Sequence, residues 1–487
     1  MKNKSKPKER LIPKATILKA FAIYFSCALV IAASVILRFA LIDKIKTKYS
    51  ALSLILIAVV TVGILTGHFV YVVCGREQLI RSLRTLGAVY TAITISVITN
   101  IYLELISPYL MPAMLTALIV ATLTTGRETF VASIFSNVLV FFVLMTKTIL
   151  LKDDGTDISA YAVISAKFAQ GLIGSAVVSY WISNDTKRLR FIWKGLVVAL
   201  LSVLAVYMVS LVFGEMANSF VHIIYLLSGA VGQVLIAFVL QPVFESAFNL
   251  VTNTRLVELT DINMPLIKRL KEDAPGTFSH CLAVANFAEV CASAIGENPY
   301  LARACAYYHD VGKLKNPQYF KENQAEVNPH DGLLPEVSVE IIRSHCTEGK
   351  KLCDEYKIPK EVSDITFQHH GTLPIFIFYN KAKQLTDGEV DVKDYSYHGI
   401  TPVSKIAAII MLCDSGEAAI RAMDNPTAEK VDKLLRKLIA DRIAAGQFDN
   451  CEISLHDLDI IRKTIINAYG GQFHKRLQYP GGEEKGA

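Results

Sequence analysis

Tyr307–Tyr308–His309–Asp310–Val311–Gly312–Lys313 sets an imidazole and a carboxylate side by side on the chain. Leu301, Ala304, Cys305 and Tyr308 already recur at helical spacing and supply an apolar face, so neither His309 nor Asp310 is there for packing. Gly312 offers that helix a place to stop. A His-Asp pair at a helix end can put a nitrogen and an oxygen on one metal ion, and the carboxylate can also bridge to a second. One such pair is not diagnostic by itself, so its surroundings decide the reading.

Upstream, Ala274–Pro275–Gly276–Thr277 reads as a turn, with Thr277 placed to cap a new helix. Cys281, Val284, Ala285, Ala288, Ala292 and Ile295 give that helix an apolar stripe that ends at Gly296. His280 lies in its first turn, just off the stripe, and taken alone serves equally well as a surface or capping histidine. Downstream, Asn316–Pro335 is rich in Pro, Asn and Asp and reads as an ordered loop containing His330. Glu336–Tyr356 is amphipathic and carries His345, and another helix delivers His369–His370 just before Gly371. Ala382–His398 is loop-like. Val403–Met423 is helical and embeds Asp414 among apolar residues, where an unpaired carboxylate would be costly. Two more helical segments follow Thr427 and read as a cover for the domain.

Five of the 11 histidines (His280, His309, His345, His369, His370) and two aspartates (Asp310, Asp414) thus come from successive helices of one all-α domain. Imidazole and carboxylate without thiolate suit Mn, Fe or similar divalent ions. Seven donors exceed the need of one ion with an open position and suffice for two ions that share a carboxylate. Such a pair activates a water and clamps phosphoryl oxygens. Lys313, one turn beyond Asp310, is placed to neutralise phosphoryl charge, or else is a plain helix-end cation. His330 either contacts substrate or orders its own loop.

The chain of 487 residues is 52% hydrophobic with a mean hydropathy of +0.38, and nearly all of the apolar excess precedes residue 250. Apolar runs near 18–41, 51–74, 86–106, 109–125, 129–151, 159–183, 192–214 and 222–247 each approach or exceed the ~20 residues that cross a bilayer as a helix. The run at 109–125 is short and contains Pro112. Eight spans would place both ends on one side. Arg76, Arg81, Arg84, Arg127, Lys187, Arg188, Arg190 and the basic N-terminus would then share that side, facing Asp153, Asp154 and Asp157 across the bilayer. Lys44, Lys46 and Lys48 are the exception. The charge bias assigns both ends to the cytoplasm. Among the polar residues inside spans, Glu104 and Glu245 are expected near span ends and Lys167 to snorkel outward; the rival reading makes them, with His68, an ion path.

The expected architecture is an all-α chain. A polytopic membrane domain of about eight spans fills residues 1–250, a connecting helix 251–273, and a cytoplasmic all-helical domain 274–487. The net charge of +6 lies mainly at the N-terminus and between apolar runs, without the basic stripe that a nucleic-acid polymer would demand. The nine cysteines show no CxxC pairing and read as buried apolar residues in a reducing compartment. No cleavage site follows the first apolar run, which argues against a removable signal peptide. No Gly-rich phosphate loop appears, and a homo-oligomer is compatible with the sequence.

Ala274–His280 (APGTFSH), Tyr307–Lys313 (YYHDVGK), Pro317–Gln324 (PQYFKENQ), Asn328–Asp331 (NPHD), His369–Thr372 (HHGT), Gly446–Asp449 (GQFD) and His474–Pro480 together resemble the membrane-anchored 7TM-HD family of cyclic di-AMP phosphodiesterases. That resemblance covers about residues 250–480. It implies one metal on His280, His309, Asp310 and Asp414, and a second on His345, His369 and His370, bridged by Asp310. It also implies hydrolysis of cyclic di-AMP to linear pApA at a multi-pass cell-membrane protein. Members usually carry a large extracellular domain between the first two spans, where this chain has only about Ile42–Ser50. His is common in the family where Ser279 stands here. Two rival readings are a cyclic di-GMP phosphodiesterase, which the absence of a GYP signature after His370 disfavours, and a catalytically silent nucleotide-binding receptor, which the filled ligand positions disfavour.

Overall fold

The computed structural model describes residues 12–42, 51–150, 158–183, 185–212, 220–386 and 388–470, and these form α-helices and connecting turns without a β-strand. The chain divides into two compact units, Met1–Thr254 and Arg255–Ala487.

The first unit holds α1 (Lys14–Leu37), α2 (Ala51–Gly75), the short α3 (Glu77–Arg81), α4 (Leu83–Leu103), the short α5 (Leu115–Ala121), α6 (Gly126–Leu150), α7 (Ile158–Trp181), α8 (Arg188–Val212) and α9 (Phe220–Ala247). Seven of the described helices are long and apolar enough to cross a bilayer. Their outer faces expose residues such as Leu52, Val59, Leu201 and Val239, as expected where lipid is the solvent, while Ser96, Asn100, Ser133 and Gln233 are buried inside.

The run at 109–125, expected as an eighth full helix, is not one. It consists of a 3-10 turn at Pro108–Leu110, a stretch without helix, and the seven-residue α5. Pro112 supplies no N–H and disfavours helix before it, so the chain is locally extended. It survives at membrane depth because residues 111–121 are buried among helices and its freed backbone groups find side chains. Gln233 Oε1 accepts the Met114 N–H at 3.0 Å, and Asn100 Nδ2 donates to Pro112 O at 3.2 Å. The segment still runs the length of α9. Tyr109 packs on His222, a Cβ at Gly229 would meet Leu110 O, Met114 meets Gln233, and Thr122–Thr125 line one cavity with Gln241. From His222 to Gln241 a helix rises about 28 Å at ~1.5 Å per residue, close to the hydrocarbon thickness of a bilayer. Among the described residues there are thus seven helices long enough to cross a bilayer and one broken segment of similar reach.

That count puts the two ends of the unit on one face, and contacts agree. Tyr24 meets Tyr90 and Ser34 meets Tyr102, so α1 and α4 run parallel, while Phe248 lies against Gly87 at the start of α4. Glu104 pairs with Arg38 and with Lys147 at 3.0 Å, and Arg188 Nη2 holds Glu245 at 2.9 Å. Lys167 does not snorkel: it is buried and donates to Gln170 Oε1 at 2.9 Å. His68 is likewise buried, 3.2 Å from the Tyr90 hydroxyl. Lys44, Lys46, Lys48 and Asp153–Asp157 lie outside the described residues.

The second unit contains α10 (Asn253–Leu259), α11 (Pro265–Asp273), α12 (Pro275–Ala294), α13 (Pro299–Tyr308), α14 (Pro335–Glu355), α15 (Lys360–Ser363), α16 (Ile365–Gln368), α17 (Phe376–Leu385), α18 (Lys405–Arg421), α19 (Ala428–Ala444) and α20 (Leu455–Gly470). Its core is α12, packed between α13, α18 and α20. Pro275 opens α12, so Thr277 lies inside the helix rather than at its cap. Its hydroxyl donates instead to Glu322 Oε1 at 3.1 Å. The cysteines are free, and six of them are buried in this unit.

Candidate metal centre

Each donor reaches the site from a helix or helix end whose backbone is fixed by packing. His280 projects from α12, His309 and Asp310 follow α13, His345 lies on α14, His369 and His370 follow α16, and Asp414 lies on α18. Gly312 is needed by more than helix termination. A Cβ there would stand 1.9 Å from His345 O, so only glycine lets the turn after Asp310 lie against the α14 backbone. Gly371, at φ +56°, similarly admits Gln447, whose Oε1 accepts the Thr372 N–H at 3.2 Å and whose Nε2 donates to Thr372 Oγ1 at 2.9 Å.

The donor atoms fall into two groups that share one residue: His280, His309, Asp310 and Asp414, and Asp310, His345, His369 and His370. Within each group they lie within 4.8 Å of one another. Asp310 divides its oxygens between them. Oδ2 stands 3.3 Å from His309 Nε2 and 3.7 Å from His280 Nε2, whereas Oδ1 stands 3.5 Å from His345 Nε2 and 3.6 Å from His369 Nε2. His370 Nδ1 lies 3.7 Å from Asp414 Oδ2.

The other ring nitrogens are committed. Nδ1 of His309, His345 and His369 donates to the carbonyls of Ala306 (2.7 Å), Ile342 (2.5 Å) and Ile365 (3.0 Å), and Nδ1 of His280 donates to Glu417 Oε2 at 2.5 Å. These bonds fix the tautomers and aim four Nε2 lone pairs inward, the arrangement that orients metal-bound imidazole. His309 Nε2 and Asp310 Oδ1 are buried without a hydrogen-bond partner, Asp310 Oδ2 is paired with Lys313, and His345 Nε2 faces His369 Nε2 at 3.1 Å. Acceptors turned on one another in a buried space fit a divalent cation.

Charge on these groups follows from the same contacts. Burial opposes ionisation of Asp310 and Asp414. It is outweighed at Asp310 by Lys313 and His309, and at Asp414 by hydrogen bonds from His280 and His309, so both carboxyls sit well below the usual carboxylate range. Burial would lower His280, but Asp414 and Glu417 raise it to about 9. His309, buried beside Asp310, is also held well above its ordinary value. Burial lowers His345 to about 4 and, with the neighbouring His369, puts His370 well below normal. The second group is therefore ready to ligate at neutral pH, while the first must shed protons.

The HD domain family matches residues 277–419, which enclose all seven donors. Residues 277–419 thus form an HD domain. Over 310 residues it is 40% identical to the cyclic-di-AMP phosphodiesterase PgpH of Bacillus subtilis (strain 168), covering 63% of this chain and 43% of that protein. Over 377 residues it is 35% identical to the cyclic-di-AMP phosphodiesterase PgpH of Listeria monocytogenes serotype 1/2a (strain 10403S), covering 76% of this chain and 50% of that one. The chain thus spans about half the length of the curated relatives it matches. The crystallised HD domain of the L. monocytogenes phosphodiesterase PgpH is 44% identical, covering 44% of this chain and all of that one with a TM-score of 0.42; the same domain in complex with cyclic-di-AMP is 45% identical at the same coverage and TM-score. Seven helices apolar enough to span a membrane, set ahead of the HD domain, fit a multi-pass membrane protein of the 7TM-HD kind.

The HD site opens into a cleft of about 360 Å³ lined by His280, Lys313, Phe320, Glu322, His345, His370, Tyr397, Asp414, Arg421 and Arg442, among others. Lys313 is placed there as a partner of carboxylates, with Nζ 2.7 Å from both Asp310 Oδ2 and Glu322 Oε1. His330 is not among the residues that line the cleft. It is buried in the 316–335 loop, with Nε2 donating to Tyr319 O at 3.0 Å and its ring against Phe378, contacts that order the loop.

Sequence reading missed Glu417, Glu322, Tyr397, Arg421 and Arg442. Glu417 follows Asp414 by three residues on α18 and so shares its face, a signal that was present. Tyr397 stacks on His370 with centroids 4.2 Å apart, and Arg442 donates from Nη2 to Ser415 Oγ at 3.1 Å. Nothing in their local sequence marks either residue.

Proposed function

We propose that the HD unit is a metal-dependent phosphodiesterase that opens cyclic di-AMP to linear pApA, facing the cytoplasm from a membrane anchor. The observation that carries this reading is the split carboxylate of Asp310, one oxygen to each donor group at the base of a cleft that also presents Arg421 and Arg442. The names of the two relatives supply the substrate. Two divalent ions, Mn or Fe, would be held by His280, His309, Asp310 and Asp414, and by Asp310, His345, His369 and His370. Ions there supply Lewis acidity to a water and to the phosphoryl oxygens.

The protein's own part is placement. Lys313 holds Asp310 ionised and fixed between the two groups. The two arginines are suited to pair with phosphate oxygens as the water attacks phosphorus in line and the ribose 3′ oxygen departs. Tyr397, buttressed by His370, offers an aromatic wall for a base. Arg76, Arg81, Arg84 and Arg127 sit with the α9 exit on the face from which the HD unit continues, which supports cytoplasmic placement by charge bias.

Full-length protein in detergent, loaded anaerobically with Mn or Fe, tests the proposal by chromatography of the products. Release of pApA from cyclic di-AMP, abolished by chelator, is expected. Faster cleavage of cyclic di-GMP, or no cleavage of either nucleotide, would overturn it.

A further inference from the structure

A second cavity, of about 260 Å³, lies wholly within the membrane unit, at the end from which the chain leaves for the HD unit. It is lined by the α5–α6 connection, the α7–α8 connection, α9 and residues 251–254. What distinguishes it is the state of its oxygens. Gln241 is only 2% exposed, and its Oε1 is buried without a donor. Asp185 pairs through Oδ1 with Lys194 Nζ at 2.9 Å, but its Oδ2 is also buried without a donor. Four of the hydroxyls around them donate elsewhere. Thr122 donates to Ile119 O at 2.8 Å, Thr124 to Val120 O at 3.2 Å, Thr254 to Asp185 O at 3.4 Å, and Ser183 to Ser179 O. These oxygens offer lone pairs to the cavity, beside the amide N–H2 groups of Gln241 and Asn253. Lys187, the one lysine among its lining residues, is exposed to solvent.

We propose that this cavity binds a small monovalent cation. Amide, hydroxyl and carboxylate oxygens are the ligands of hard cations. A single carboxylate, already half-neutralised by Lys194, provides too little charge for a divalent ion with its larger dehydration cost. The volume leaves room for a cation with part of its water shell. Because residues 251–254 contribute to the wall, a bound cation ties the exit of the membrane unit to the α5–α6 and α7–α8 connections.

The chain carries its own reporter. Its two tryptophans, Trp181 and Trp193, pack edge-to-face at 5.4 Å beside the cavity, and Lys194, which holds Asp185, donates to Trp181 O at 2.8 Å. Full-length protein in detergent, with chelator throughout so that the HD donors stay metal-free, is titrated with KCl, NaCl or NH4Cl against N-methylglucammonium chloride at constant ionic strength. Tryptophan emission should change saturably with at least one of the small cations. Its midpoint should weaken at least tenfold in both Gln241→Leu and Asp185→Asn. Gln241→Leu removes an orphaned acceptor, so the variant should fold; if it does not, Asp185→Asn carries the test. Emission that stays the same when N-methylglucammonium is exchanged for each small cation, or an unchanged midpoint in a folded variant, would overturn the proposal by leaving only water in the cavity.

Discussion

Glu417 never reaches the donor groups, yet replacing it should weaken one of the two proposed ions. Its carboxylate takes the Nδ1 proton of His280 at 2.5 Å and orients Nε2 toward Asp414 Oδ1, 2.9 Å away. Removing a carboxylate in this position lowers metal affinity by about 10- to 100-fold, or about 1–3 kcal/mol. A second effect opposes the first. His280 is raised to about 9, so at pH 7 a proton must be displaced before Nε2 can ligate. Two units at ~1.4 kcal/mol each make that cost about 3 kcal/mol. Glu417→Gln removes one of the groups that raise His280 and so lowers this cost. The deficit of Glu417→Gln should therefore be large at pH 8.5, where less proton has to be displaced, and smaller at pH 6.5. Glu417→Ala, with no acceptor left, should be worse at both. Competition with a chromophoric chelator, run anaerobically with Mn, resolves two affinities. The ion on His345, His369 and His370 serves as the internal control. Affinity within twofold of wild type at both pH values, or equal weakening of both ions, would show that Glu417 does not act through His280.

Asp310→Ala removes the shared ligand, and elemental analysis should find metal falling from near two ions per chain to near none, with activity. Lys313→Met strands Glu322 against a buried carboxylate and should destabilise the HD unit by roughly 3–5 kcal/mol in denaturant unfolding; an unchanged midpoint would mean that Glu322 relaxes to solvent. In the metal-free protein, the raised His280 contributes about 3 kcal/mol of stability that is full below about pH 6.5 and lost as pH climbs through about 9, a dependence that saturating metal should abolish. Reporter fusions at Gly155 and at residue 487 should report opposite sides of the membrane. A shared side would mean that residues 109–125 do not cross.

Periodicity and residue chemistry were enough to read the all-α class, the succession of membrane helices and the seven donors, because each is a local property: an apolar run long enough to cross lipid, or an imidazole on an otherwise apolar helix. Other features needed three dimensions. Pro112 warned that 109–125 was no ordinary helix, but its burial depends on Gln233 and Asn100, of which Gln233 lies far off in sequence, and both meet its backbone only after folding. Gly312 looked like a helix stop, and its larger purpose, letting the Asp310 turn lie against α14, depends on where His345 O comes to rest. His330 kept two readings open until the loop closed around it. The division of Asp310 between two donor groups is also a tertiary fact. Which oxygen faces which imidazole is set by the packing of α12, α13, α14, α16 and α18, and no spacing along a chain encodes a direction in space.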